Sequence, residues 1–348
     1  MALEHSVFSE KELISFVNTH YGLELTAIQK LPLGSANCFC LSDGTKRYFC
    51  KEFQSGIAPD DVTAEASLIA ALAARGIPVA QFLPTVDGAW VTVYCDHAVC
   101  LQEYVEGMTY GYDDFPPHLM PTLAQTLGRL HTAMRDMELP AHLDVNWAAS
   151  YHGAESAAQY DALLTAAERM REDAEYAQIV SELQYKKELA YRCEDYARHY
   201  EGITYCPTHG DFQGCQTVWE GDRLRAIIDF SSAKRLPAVW EVMRSYVQSS
   251  SYSRATACID LDGMQAYVGE YLRHAPLTER DLRAMPYVYL FQLAKSKFGY
   301  PQYLQSDSPD RVGLLQFAHW RTNMCREVET RAEEISEAMV SLLDRAHS

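Results

Sequence analysis

The sequence predicts an α+β fold in two lobes: a small N-terminal lobe on an antiparallel sheet, residues 1–104, and a large, mainly helical C-terminal lobe, residues 105–348. Up to about residue 104, short apolar runs alternate with polar positions and are divided by turn residues, the period-two mark of strands. Beyond Gly107 the apolar spacing becomes three and four, the mark of helices. A chain of 348 residues is also long for a single core.

The elements follow in order. Glu10–Tyr21 has helical spacing through Leu13, Ile14, Phe16 and Val17. Strands are expected at Ala27–Pro32, Cys38–Leu41 and Arg47–Phe53, with Ser42-Asp43-Gly44-Thr45 turning between the last two. Pro59–Ala74 places Ala64, Leu68, Ala71 and Leu72 on one helical side, and Gly76 and Pro78 stop it. Trp90–Tyr94 and Ala98–Tyr104 complete the sheet, and Gln102–Gly107 is the connector. Helices are then expected at Pro121–Met134, over most of Ala154–Tyr200, and at Trp240–Ser250, Asp260–His274, Glu279–Phe298 and Val312–Arg345. Between them, Val218-Trp219 and Leu224–Ile228 read as a hairpin turning at Glu220-Gly221-Asp222, inside the large lobe.

Bulk properties narrow the function. A formal net charge of -17 argues against nucleic acid as the partner, since phosphate backbones need basic surface. It is compatible with a cationic substrate, and equally with simple solubility. The first residues show no signal peptide, and no apolar run spans a bilayer, so a cytoplasmic protein is expected. The 10 cysteines include no Cys-x-x-Cys pair, which speaks against structural zinc and for reduced, buried thiols.

The stretch that carries chemistry is Thr208-His209-Gly210-Asp211-Phe212-Gln213-Gly214-Cys215-Gln216, followed by Ile227-Ile228-Asp229-Phe230. The hairpin between them puts Asp211 before its first strand and Asp229 after its second, with both ends pointing the same way. That arrangement suits phosphoryl transfer from a nucleotide: Asp211 handles an acceptor hydroxyl, while the Gln216 amide and Asp229 hold Mg²⁺. In Arg47–Phe53, Lys51 shares a face with Phe49 and Phe53. A lysine on a core face needs a partner, and Glu65 on the following helix is a natural one. The pair would aim Lys51 at nucleotide phosphates; the alternative is a solvent-facing Lys51 with Tyr48 inward. Leu33-Gly34-Ser35-Ala36-Asn37 lies between strands and is small enough for backbone N–H groups near Ser35 to approach phosphate oxygens. His209 is assigned a structural role in its turn. There is no G-x-x-x-x-G-K-[ST] and no G-x-S-x-G, which speaks against a P-loop NTPase and a serine hydrolase.

Taken in order, Lys51 in Phe-Cys-Lys-Glu-Phe, Glu65 in Ala-Glu-Ala-Ser-Leu-Ile, Gly76-Ile-Pro-Val-Ala, Leu101-Gln-Glu-Tyr-Val-Glu-Gly107, Leu127-Gly-Arg-Leu-His131, His209-Gly-Asp211 and Ile228-Asp229-Phe230 resemble the aminoglycoside phosphotransferase, choline kinase and homoserine kinase group, which has the protein-kinase-like fold. The landmarks run from roughly residue 27 to 250. The resemblance implies a small-molecule kinase using ATP or GTP with Mg²⁺. Asp211 would be the base and Asp229 and Gln216 the metal ligands, with Lys51 and Glu65 on the phosphates. The nucleotide base would be held between the lobes by backbone near Glu103 and Val105. Two positions depart from the family pattern. Gln216 stands where Asn is usual, and Ser231-Ser232 follow Asp229 where an acid is common. The expected partner is a small-molecule hydroxyl acceptor, such as an aminoglycoside, amino alcohol, homoserine or sugar, with no nucleic acid or membrane and a monomeric or homodimeric chain. Trp240, Glu241, Arg244, Tyr246, Tyr252 and Trp320 are the acceptor-site candidates. A nucleotide-binding pseudokinase is the alternative that Gln216 favours; a protein kinase lacks its Asp-Phe-Gly and Ala-Pro-Glu signatures here.

Overall fold

The computed structural model describes residues 4–31, 36–140, 143, 152–306 and 309–346. Its strands are β1 Ala27–Leu31, β2 Asn37–Ser42, β3 Arg47–Glu52, β4 Val91–Tyr94, β5 His97–Glu103, β6 Tyr205–Thr208, β7 Thr217–Glu220, β8 Arg223–Ile227 and β9 Lys234–Pro237. Its helices are α1 Glu10–Tyr21, α2 Pro59–Ala74, α3 Met120–Met134, α4 Gly153–Ala167, α5 Tyr176–Asp195, α6 Ala238–Ser249, α7 Ser251–Thr256, α8 Leu261–Leu272, α9 Glu279–Lys295, α10 Tyr300–Gln305 and α11 Arg311–Ala346. This is the expected α+β class: a five-stranded antiparallel sheet in the N-terminal part and a mainly helical remainder.

The chain divides into two compact units, Met1–Thr109 with Gln216–Ala233, and Tyr110–Cys215 with Lys234–Ser348. In the first, the sheet order is β1-β2-β3-β5-β4, so β3 is central and its residues are paired on both sides. α1 starts from a capping box in which Ser9 and Glu12 satisfy each other's backbone N–H groups. Its apolar stripe, Leu13 and Val17, packs on Phe39, Leu41, Cys50, Val99 and Leu101 of the sheet. The β7–β8 hairpin belongs to this unit rather than to the helical part in which the sequence places it. Backbone hydrogen bonds explain the difference. Ile227 N–H donates to Pro78 O at 2.8 Å, and Met108 and Trp219 exchange bonds of 2.7 and 2.8 Å.

The second unit is helical around one small sheet. β6 and β9 pair antiparallel, Tyr205 opposite Pro237 and Thr208 opposite Lys234. Neither strand was expected, because each is four residues long and carries a proline, Pro207 or Pro237. The helical stretch expected over 154–200 is broken: α4 ends at Ala167 and α5 begins at Tyr176. Tyr160, Leu163, Leu183, Ala190, Tyr300, Leu315 and Ala318 form its core on that side. Among the described residues, no helix is long and apolar enough to cross a membrane.

Candidate active site

In the first unit the sheet delivers Lys51, α2 delivers Glu65, and the hairpin delivers Gln216 and Asp229. On β3, Tyr48 and Cys50 face the α1 core, which leaves Lys51 on the opposite face with a side chain 12% exposed. The ammonium is therefore neither an edge group nor in the core under α1. Its ion pair is with Asp229, Nζ to Oδ1 at 3.2 Å. Glu65, expected as that partner, lies close enough for the two charges to act on each other, and it accepts the backbone N–H of Phe230. Burial would lower the Lys51 pKa, but Asp229 and Glu65 outweigh it and raise it. Glu65 is pushed up to about 6, by burial first and against the pull of Lys51. Its Oε1 is buried with no hydrogen-bond partner.

The hairpin register sets Gln216 opposite Ile228, the residue before Asp229. Thr217 pairs with Ile227, and Ile228 N–H donates to Gln216 O at 3.0 Å. Asp229 itself has φ 63° and ψ 68°, a left-handed conformation that aspartate tolerates better than most residues. Strain of this kind is concentrated at ligand clamps. Ser231 Oγ donates to Asp229 Oδ1 at 2.9 Å, so the residue that departs from the family pattern also touches this carboxylate.

The second unit holds Asp211. Gly210 has φ 82°, which lets the His-Gly-Asp turn reverse direction at no steric cost. Gly214 has no room for a side chain, because a Cβ there would run into the Phe115 ring. The turn is held from below by Glu241 on α6. Its carboxylate, fully buried, accepts the backbone N–H groups of His209 at 3.0 Å, Gly210 at 2.5 Å and Phe212 at 3.4 Å. His131 Nε2 lies 2.9 Å from the same carboxylate, and its Nδ1 lies 2.9 Å from the Tyr271 hydroxyl. Burial alone would raise the Glu241 pKa; the His131 hydrogen bond and charge, with the backbone donors, bring it below its usual value. His209 is buried, and its Nδ1 accepts the Asp211 N–H at 3.3 Å. The Asp211 carboxylate accepts from Gln213 Nε2 at 3.1 Å and from the Arg244 guanidinium.

The remaining expectations divide. Ser35 lies outside the described residues. Glu103 ends β5 with an exposed side chain, and its N–H donates to Gln81 O at 2.8 Å, which leaves that donor engaged; Val105 lies past the strand end. Of the acceptor candidates, Arg244 reaches Asp211, whereas Glu241 shapes the loop instead. Tyr246 is bonded to Asp260 O, Tyr252 is exposed, and Trp320 donates to Ser253 O. The sequence reading missed the anchoring roles of Glu241 and His131. The signal for them was present: a lone carboxylate in the apolar run Ala238–Met243 and a lone His in the apolar face of α3.

Among the described residues, no group of three or more His, Cys, Asp and Glu is placed to hold a metal ion unaided. Mg²⁺ of the phosphate-bridging kind does not need one, since it takes one or two protein oxygens and completes its shell with water and phosphate. A carboxylate, Asp229, and an amide oxygen, Gln216, held by one hairpin, are a donor set of that type.

The chain was compared with known proteins. A search of curated proteins returns no match. Solved structures share the fold. A spectinomycin phosphotransferase in complex with ADP and spectinomycin superposes with a TM-score of 0.65 at 14% identity, covering 97% of this chain and 99% of that one. An aminoglycoside phosphotransferase from Alicyclobacillus acidocaldarius gives 0.64 at 17% identity over 95% and 98%, and a microcompartment-associated aminopropanol kinase gives 0.64 at 16% over 94% and 99%. The model of the phosphotransferase enzyme family matches residues 27–277, a span that holds Lys51, Glu65, Asp211, Gln216 and Asp229. The chain therefore belongs to the phosphotransferase enzyme family.

Proposed function

We propose that this chain transfers the γ-phosphoryl group of ATP, or of GTP, to a hydroxyl of a small molecule with Mg²⁺ as the metal. The observation that carries the reading is the Lys51–Asp229 ion pair at the end of a hairpin whose register sets Gln216 opposite Ile228, the residue before Asp229. It joins a phosphate-directed cation to two metal-type oxygens in one unit. Nucleotide complexes support the same reading by analogy: the spectinomycin enzyme is solved with ADP, and an amicoumacin kinase with AMP-PNP and Ca²⁺.

In the reaction, the bond between the β,γ-bridging oxygen and the γ-phosphorus breaks and a bond from the acceptor oxygen forms. ADP leaves, and the acceptor proton passes to Asp211 and then to solvent. Asp211 orients the hydroxyl and accepts its proton; Lys51 neutralises phosphate oxygens. Asp229 and Gln216 would hold Mg²⁺, which when bound supplies further charge neutralisation between phosphate groups. Glu241 and His131 keep the loop rigid, so Asp211 needs little reorganisation to act. Family membership and the complete set of Lys51, Asp211 and Asp229 weigh against the inactive, regulatory alternative.

Thermal denaturation with ADP, with and without Mg²⁺, tests the reading. Ligand at a hundred times its dissociation constant stabilises by about 2.7 kcal/mol. Wild type should show a Mg²⁺-dependent rise in melting temperature that Lys51→Met and Asp229→Asn lose. No rise at millimolar Mg·ADP would remove the nucleotide site.

A further inference from the structure

The second unit carries a cluster around Asp211 that the reaction above does not use. Three guanidiniums meet there, from α6, α7 and α11. Arg244 is hydrogen-bonded to Asp211. Arg254 donates to Asp113 at 2.8 Å and lies over the Trp320 ring, 4.3 Å from its centre. Arg321 is only 7% exposed, and among the described residues it forms no ion pair; its Nε is buried without a hydrogen-bond acceptor. Its guanidinium lies over the Phe317 ring, 5.5 Å from the ring centre. The charges of all three arginines act on the hydroxyl of Tyr289 on α9, which is itself fully buried and unpartnered. Gln248, one turn beyond Arg244 on α6, is 2% exposed, and neither its amide oxygen nor its nitrogen has a partner.

A structural arginine in a folded interior is ordinarily paired, because an unpaired buried charge is costly. Arg321 departs from that rule, and Arg244, a like charge, acts on it besides. Burial and Arg244 both push its pKa down, although an arginine stays protonated at any ordinary pH. The carboxylates associated with the cluster are Asp211, engaged by Arg244, and Asp113, on the exposed side of Arg254. Glu241 also acts on Arg244, but its oxygens are committed to the loop. Three positive groups therefore outnumber the two carboxylates left to them, in a chain whose net charge is -17. A cationic acceptor would meet like charge there.

We propose that this cluster binds an anionic group, a carboxylate or phosphate ester, carried by the hydroxylic acceptor, with Arg321 as its principal ligand and Tyr289 and Gln248 as further hydrogen-bonding partners. The proposal rests on the kinase reading, since it names the acceptor class of that same site. Planar, forked guanidiniums suit both anions. An acceptor anion would also compete with Asp211 for Arg244, so that binding releases the base at the moment the hydroxyl arrives.

The test uses the full chain and four probes of similar size: glycerate, glycerol 3-phosphate, glycerol and 3-amino-1,2-propanediol. Calorimetric titration reads binding, γ-labelled ATP reads transfer, and Mg·ADP thermal shift reads the nucleotide site separately. One or both anionic probes should bind at least tenfold more tightly than the neutral and cationic ones; which of the two wins distinguishes carboxylate from phosphate. Arg321→Met should abolish that preference, and Arg321→Lys should restore part of it. The ligand-free Arg321→Met protein should melt higher than wild type, because an unpaired buried charge is replaced by an apolar chain; a merely structural arginine predicts a lower melting temperature. If Arg321→Met slowed label transfer to all the probes equally, its guanidinium would serve only the transferred phosphoryl group, which would overturn the assignment. Preference for the amine, or no anion binding at millimolar concentration, overturns the proposal even when Mg·ADP still stabilises the protein. Anion binding without any Mg·ADP shift defeats the kinase reading and, with it, the acceptor role.

Discussion

Replacing Glu241 by Gln isolates what holds the Asp211 loop. One Glu241 oxygen accepts Gly210 and Phe212 N–H; the other accepts His209 N–H and meets His131. The amide keeps only one acceptor oxygen. Its least costly orientation faces NH₂ toward His131 and leaves the His209 N–H unsatisfied in a buried site, a loss of about 1–3 kcal/mol. The remaining bonds lose their charge assistance, which brings the total to about 2–4 kcal/mol. With a urea m-value near 3 kcal/mol/M, the midpoint should fall by roughly 1 M. The loss should depend on pH. The folded Glu241 pKa lies below its ordinary value of 4.5, so its contribution is present above that value and is lost as pH falls through the folded one. Urea titrations at pH 7 and pH 4, followed by tryptophan fluorescence, should show a large gap between wild type and E241Q that narrows in acid. A gap under about 0.5 kcal/mol at pH 7 would refute the anchoring role.

Three further outcomes are expected. Lys51→Met and Asp229→Asn should couple by about 1–2 kcal/mol in a double-mutant cycle on ligand-free stability, because the two groups touch; simple additivity would mean that they do not pair in solution. Glu65 is pushed up from 4.5 to about 6, a difference of 6 − 4.5, so the fold favours its protonated form. That stability is present below 4.5 and lost as pH rises through 6, by about 2 kcal/mol, and Glu65→Gln should flatten this part of the ligand-free pH profile. Gln216→Ala should raise the Mg²⁺ concentration needed for half-maximal activity, whereas Gln216→Asn should leave it unchanged or lower it; equal Mg²⁺ curves for wild type and Q216A would remove Gln216 from the metal site.

Much of the site was legible because its residues are tied to local patterns. Asp211 sits in a three-residue turn, and Gln216 and Asp229 flank one hairpin whose strands and turn residues are visible in sequence. Period-two alternation put Lys51 on one face of β3 with Phe49 and Phe53, but it did not tell which face packs on α1; the structure turns Tyr48 and Cys50 to α1 and Lys51 away from it. Which carboxylate it reaches was not legible, because Asp229 lies 178 positions away and arrives only through the hairpin's backbone bonds to Pro78 and Met108. The same bonds explain why residues 216–233 group with the N-terminal part. Glu241 was noticed but given an acceptor role; that its carboxylate points into the loop depends on how α6 lies under β6. Arg321 is one of several arginines along a 36-residue helix, and nothing local marks it as the buried one. The prolines that concealed β6 and β9 sit at positions where a two-stranded sheet needs few ladder donors.

The central claim is that Asp211 serves the acceptor hydroxyl in phosphoryl transfer. Its most direct test is the initial rate of label transfer from γ-labelled ATP to the hydroxylic probe that wild type uses best, compared in wild type and Asp211→Asn at saturating Mg²⁺. A positioned base contributes about 10²–10⁴-fold, so the variant should lose at least a hundredfold in rate while its Mg·ADP thermal shift stays intact. A variant that retains transfer within about threefold of wild type, against the factor expected of a base, would contradict the account.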